Sequence, residues 1–197
     1  MSDPLPIVDA TELPPEYRTL LRPGETLIDA QGRSHELPRY YYELASWEQA
    51  KTTKLTVHFS FAELMGVDCR EADLLLRKFP HYVPCAVSVL ARYLEEFRSR
   101  VEAPIHVSIN GGYRSPAHRF ADVVSPHLWA GAADIYRIGE QYLDNQKAVE
   151  RYTHIAETIG QEVYLAPWGH GPGATDDHLH FDLGYLHVVP RSFRGGA

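Results

Sequence analysis

A helical stripe runs through the middle of this 197-residue chain. Val83, Val87, Leu90, Ala91, Leu94, Phe97 and Val101 recur at the spacing that places them on one face of a helix from Val83 to Val101. Pro84 suits the first turn of that helix, where a missing N–H costs little, and Pro104 ends it. Ala148, Tyr152, Ile155, Ala156 and Ile159 mark a second amphipathic helix from about Asn145 to Ile159. Alternation predicts strands elsewhere. Leu55, Val57 and Phe59 alternate with Thr56 and His58, and Ile105, Val107 and Ile109 alternate with His106, Ser108 and Asn110. Between these, Ser60-Phe61-Ala62-Glu63 has the form of a capping box and starts a short helix. Ala132 to Ile138 and Glu162 to Ala166 also read as strands. From His178 to Tyr185, Leu179, Phe181 and Leu183 take one face of a strand, and His178, His180 and Asp182 take the other. Helices and strands mix without a strict βαβ rhythm. The expected fold is therefore α+β, with a mainly antiparallel sheet and flanking helices.

The start of the chain has a different texture. Six of the fourteen prolines, Pro4, Pro6, Pro14, Pro15, Pro23 and Pro38, fall before residue 40. Proline breaks helices and removes backbone donors, so residues 1–53 read as an N-terminal arm with turns around a short strand at Thr26-Leu27-Ile28. Its aromatic group, Tyr40-Tyr41-Tyr42 and Trp47, is expected to pack on the main domain, residues 54–197.

Composition narrows the function. An apolar content of 44% indicates a globular chain, and a net charge of -7 argues against nucleic acid or anionic lipid as a partner. No apolar run approaches the roughly 20 residues of a membrane span. The opening Met-Ser-Asp-Pro-Leu-Pro lacks a signal peptide's pattern, so a cytoplasmic product is expected, with release by lysis or export by another route left open. Cys69 and Cys85 form no C-x-x-C pair; two reduced thiols and a disulfide are both compatible with that.

The candidate chemistry lies in the second half. His127, Asp134 and the string Asp177-His178-Leu179-His180 combine imidazoles with carboxylates. Two neutral imidazoles and one carboxylate suit a zinc ion that keeps an open position for water, and they leave the site at net positive charge. The spare Asp177 and His178 stand where a general base and a transition-state donor are wanted.

Four segments, Gly112-Tyr113-Arg114-Ser115-Pro116, Ser125-Pro126-His127, Ala132-Ala133-Asp134-Ile135 and Asp177-His178-Leu179-His180, together resemble the zinc D-Ala-D-Ala carboxypeptidase family. That family groups with lysostaphin-like enzymes and the Hedgehog signalling domain. The similarity spans about residues 55 to 187, and Leu55 to Leu64 looks like the start of the domain in the shorter members. The resemblance implies that His127, Asp134 and His180 ligate zinc, that Asp177 is the general base, that His178 steadies the reacting oxygen, and that Arg114 holds the substrate or polarises its carbonyl. A guanidinium can grip a carboxylate with two prongs, which lysine cannot copy. It also implies a Hedgehog/DD-peptidase-like fold and a peptide or peptidoglycan fragment as substrate. The pattern departs at one place: the family glycine three residues after the first histidine is Ala130, with glycine one position later at Gly131.

The expected activity is zinc-dependent hydrolysis of a peptide bond next to D-amino acids, in peptidoglycan stem peptides of the cell wall. Carboxypeptidase, dipeptidase and endopeptidase modes all fit. The alternative is a non-catalytic, zinc-stabilised binding domain of Hedgehog type. Asp182 is expected to orient a histidine from behind, and the glycine-rich Trp168–Gly173 loop reads as either a lid or a connector.

Overall fold

The chain places an apolar face and a polar face on one short strand, and the fold is arranged around that strand. The computed structural model of the protein describes residues 5–65, 77–118, 121 and 124–194. Strands β1 (Ile7–Asp9), β2 (Thr26–Ile28), β3 (Ser34–Glu36), β4 (Tyr40–Leu44) and β5 (His81–Pro84) precede β6 (Ile105–Val107), β7 (Ala132–Ile138), β8 (Gln141–Tyr142), β9 (Tyr164–Leu165) and β10 (Leu179–Asp182). The helices are α1 (Pro15–Leu21), α2 (Trp47–Thr52), α3 (Phe61–Leu64), α4 (Val87–Val101) and α5 (Gln146–Ala156). The main sheet runs β6-β7-β10-β9, with β8 on the end of β7, and all its pairings are antiparallel. Mixed α+β architecture with antiparallel sheets is thus present as expected.

In β10, Leu179 and Phe181 are fully buried, and the Phe181 ring stacks against Phe97 of α4 at 5.8 Å. His180 and Asp182, on the opposite side, line a cleft. The alternation of this strand therefore anchors it in the core and presents its polar groups, as the pattern predicted. The stripe of α4 supplies the facing layer: Val87, Leu90, Ala91, Leu94 and Phe97 are all buried. Asn145 caps α5, its side chain accepting from the Ala148 N–H at 3.0 Å.

A second antiparallel sheet, β1-β4-β5, joins the two ends of the proposed arm boundary. Tyr41, Leu44, Ala10 and Leu21 belong to the same buried cluster as Val83, Leu90 and Phe181. The first 53 residues thus contribute directly to the main core.

Three local expectations need correction. Residues 83–86 are not the first turn of a helix. Tyr82, Val83 and Pro84 extend along β4, with Tyr42 opposite Val83 and Tyr41 opposite Pro84, and α4 begins only at Val87. Burial of the whole strand outweighs the helical spacing, and the ladder continues past proline with Cys85 N–H donating to Tyr40 at 3.0 Å. Residues 55–59 form a tight loop rather than a strand. The Glu95 carboxylate gathers Thr56 Oγ1 and the His58 N–H, and Val57 is 78% exposed. Finally, Pro14-Pro15 opens α1 instead of preventing it, because proline in the first turn gives up no helical hydrogen bond. The capping box is present: Ser60 N–H and Oγ both donate to Glu63. Cys85 is buried; its pairing with Cys69 lies outside the described residues. Among the described residues no helix is long and apolar enough to cross a membrane.

The β2–β3 hairpin reaches across to the second half of the chain. Its turn is organised by Asp29, whose buried side chain accepts from Gln31 N–H at 2.9 Å, Arg33 N–H at 2.8 Å and Arg33 Nε at 2.7 Å. His35 Nε2 lies 2.9 Å from the same carboxylate. The His35 ring stacks on Tyr185 at 3.5 Å, and Trp129 Nε1 donates to the Glu36 carbonyl at 2.7 Å. Leu37, Leu128 and Trp129 form a small buried cluster beneath.

Burial alone would raise the Asp29 pKa, but the hydrogen bonds from His35, Arg33 and Gln31 outweigh it and hold the carboxyl well below its ordinary range. A depressed folded pKa contributes stability above the unfolded value and loses it as pH falls below about 4. Asp29→Asn should therefore melt below the parent chain at neutral pH, with the gap closing as pH drops through about 4. Tryptophan-detected thermal unfolding across pH checks this, and a gap that persists unchanged at about pH 3 contradicts it.

Candidate metal centre

Three separate segments bring their side chains to one point. His127 sits in a 3-10 turn, Pro126–Trp129, opened by proline and capped by Ser125. Asp134 lies on β7, and His180 lies directly opposite it on β10. The Gly111-Gly112 turn passes beneath. A Cβ at 111 would meet the Asp134 carbonyl oxygen at 2.7 Å, and one at 112 would meet the Leu64 carbonyl oxygen at 2.3 Å, so only glycine permits this approach. The turn in turn fixes His127. Its Nδ1 lies 2.7 Å from the Gly112 carbonyl, which can only accept, so Nδ1 carries the proton and Nε2 is left as the ligand atom.

That Nε2 is 3.2 Å from Asp134 Oδ1, and His180 Nδ1 is 2.7 Å from the same oxygen. The ligand atoms of His127, Asp134 and His180 all lie within 4.8 Å of one another. Tetrahedral bonds of about 2.0–2.2 Å hold ligand atoms roughly 3.3 Å apart, so the donor set and its spacing fit a metal ion. This cluster could hold one, and it consists of the three residues singled out in the sequence.

Each member is braced from behind. His180 Nε2 lies 3.1 Å from Asp182 Oδ2, and Asp182 Oδ1 accepts from the Gly184 N–H at 2.8 Å. Asp182 thus takes the orienting position expected for it. Asp134 N–H donates to Gly111 at 2.7 Å, and its carbonyl accepts from Ser108 N–H at 3.0 Å. Arg114 donates through Nη2 to Asp134 Oδ2 and through Nε to the Asn110 carbonyl at 2.6 Å. Its guanidinium therefore grips the carboxylate's second oxygen, leaving Oδ1 to the histidines, while the residue also borders the cleft.

His178 stands beside the triad, its Nε2 3.3 Å from Asp134 Oδ1. Its Nδ1 pairs with Asp177, whose side chain is 78% exposed. The two form a carboxylate–imidazole pair with the imidazole toward the cluster. The electrostatics follow from the shared carboxylate. Burial would raise the Asp134 pKa, yet His127, His178 and His180 together hold it well below the carboxylate range. Burial works against charge on His180, but hydrogen bonds to Asp134 and Asp182 prevail and raise it to about 9. The same contest, with Asp134 and Asp177 on the winning side, lifts His178, whereas burial dominates at His127 and lowers it.

The triad opens onto a cleft of about 870 Å³. Gly173, Ala174 and Thr175, at the end of the glycine-rich loop, form part of its wall, as does Tyr164. The wall also includes Gln31 and Arg33 from the hairpin, which no sequence pattern pointed to. Their placement depends on the docking of His35 against Tyr185 and Trp129, a contact between residues nearly a hundred or more positions apart. Tyr113 and Trp129 are buried packing residues.

The glycine shift has a structural reading. Ala130 adopts φ +54, a left-handed conformation, while a Cβ at Gly131 would lie 2.4 Å from the Gly184 carbonyl oxygen. Close backbone approach thus requires glycine at 131, and alanine carries the strained torsion at 130. Ala130→Gly should stabilise the chain by up to about 1 kcal/mol, and Gly131→Ala should destabilise it by more than that. Denaturant unfolding of the two variants measures both, and the opposite order would refute this assignment of the strain.

No family model, no curated protein and no solved structure matches this chain.

Proposed function

We propose that this chain is a zinc-dependent peptidase that hydrolyses a peptide bond next to D-amino acids, in peptidoglycan stem peptides. The observation that carries the reading is the convergence of His127, Asp134 and His180 at the floor of an open cleft, with the Asp177–His178 pair alongside. Two imidazoles with one carboxylate match the ligand set of a catalytic zinc site that keeps an open position. A purely structural site closes that position with a fourth protein ligand. When bound, zinc would supply Lewis acidity toward a carbonyl oxygen and a nucleophile at neutral pH.

The protein's own groups divide the remaining work. Asp177 and His178 accept the proton released as water adds to the carbonyl, and return it to the amine as the C–N bond breaks. His178 lies next to the ligand oxygen, at the edge where charge develops, and Asp177 holds its ring from behind. Arg114 holds Asp134 Oδ2 and leaves Oδ1 to the histidines, and its place on the cleft wall suits it to a substrate oxygen as well. The resemblance to the D-Ala-D-Ala carboxypeptidase family supplies the substrate class.

Asp177→Ala should retain one zinc per chain while kcat/KM on acyl-D-Ala-D-Ala peptides falls by about 10²–10⁴. Adding His178→Ala should cost far less than the product of the two single losses, since the pair works as a unit. Metal analysis and steady-state kinetics read both effects, and undiminished turnover in Asp177→Ala would remove that residue from the reaction.

A further inference from the structure

One wall of the cleft comes from the opposite end of the chain. Gln31 and Arg33, in the turn of the β2–β3 hairpin, border the same space as His127, Asp134 and His180. The Arg33 side chain is 64% exposed, with Nε on Asp29 at 2.7 Å and Nη2 on Gln31 Oε1 at 3.2 Å. A guanidinium has five N–H donors, so most of this one's donors have no partner among the described residues. Arg114, the other arginine of the wall, is engaged by Asp134 and Asn110.

Arg33 is also held in place before any ligand arrives. Asp29, with its side chain 2% exposed, ties down the arginine's Nε and backbone N–H together with Gln31 N–H. His35, two residues on, is stacked against Tyr185, which borders the cleft as well. Asp182, bonded to His180 Nε2 and to Gly184 N–H, continues the connection from the hairpin to the triad. A preordered guanidinium loses little freedom on binding, and its fork matches a carboxylate. Asp29 and Gln31 occupy only part of the guanidinium, so its remaining N–H groups can donate to an anionic ligand.

We infer that Arg33, assisted by Gln31, binds a carboxylate of the peptide substrate, so that the N-terminal hairpin selects which peptides reach the metal centre. This rests on the peptidase reading for the identity of the ligand. The side chain is a binding residue that touches substrate and takes no part in proton transfer.

The test uses the full zinc-loaded chain carrying Asp177→Ala to slow turnover, with Arg33 intact or changed to Ala, Gln or Lys. Calorimetric titration with acetyl-D-Ala-D-Ala, its C-terminal amide and inorganic phosphate gives the affinities, and a thermal melt of each variant reports folding. The acid should bind about tenfold or more tighter than the amide, and Arg33→Ala should erase that preference while leaving the amide's affinity unchanged. Arg33→Gln, which can still donate to Asp29, should lose the preference without loosening the hairpin, and Arg33→Lys should keep part of it. An acid preference untouched by all three changes, no preference in the parent, no binding of either peptide, or phosphate binding as tightly as the acid would each overturn the inference. If the chain with Asp177 intact cleaves neither peptide yet Arg33-dependent acid binding holds, the peptidase reading fails and the carboxylate site stands. Cleavage without any Arg33 dependence sinks only the carboxylate site.

Discussion

Asp134 is a carboxylate placed where water hardly reaches, and the arrangement around it exists to make that placement tolerable. An uncompensated charge in such a position would be strongly destabilising. Here one oxygen receives Arg114, while three imidazoles converge on the other. Its backbone is tied to Gly111 and Ser108, and its strand partner is His180 itself. Two of the segments that meet at this point, β7 and β10, also close the core around Phe181 and Ile135. Stability and chemistry therefore share one element. A metal ion would replace part of the histidine protons' role in neutralising the carboxylate, which couples metal binding to protonation.

The N-terminal segment takes part in this at two levels. Its strands β1 and β4 complete a sheet with β5 and bury Tyr41 in the common core. Its hairpin, clamped by Asp29 and docked through His35 and Glu36 onto Tyr185 and Trp129, supplies part of the wall of the cleft that holds His127, Asp134 and His180. The fold thus adds a second arginine, Arg33, to the cleft wall that already carries Arg114 of the main domain.

Much of the site was legible because its chemistry is carried by short strings with a physical reason for their order. His180 and Asp182 alternate with Leu179 and Phe181, so strand geometry alone sends the polar pair to one side. The α4 stripe and the Ser60–Glu63 box follow from local spacing in the same way. The misread segments are those where nonlocal contacts decide. Val83 and Pro84 have helical spacing relative to α4, but pairing with β4 claims them. Residues 55–59 alternate like a strand, yet Glu95, far along the chain, folds them into a loop. Arg33 and Gln31 lay beyond reach because nothing near them in sequence indicates a cleft; their position is dictated by Trp129 and Tyr185. Even Arg114, found by its motif, acts in the structure first on Asp134, a partner that only tertiary packing reveals.

X-ray absorption at the zinc edge, on the chain loaded with one equivalent of zinc, tests the central claim most directly. The account predicts imidazole scattering from two histidines and a carboxylate oxygen, all at about 2.0–2.2 Å, with no sulfur. A sulfur shell at about 2.3 Å, or a coordination sphere without imidazole, would contradict it.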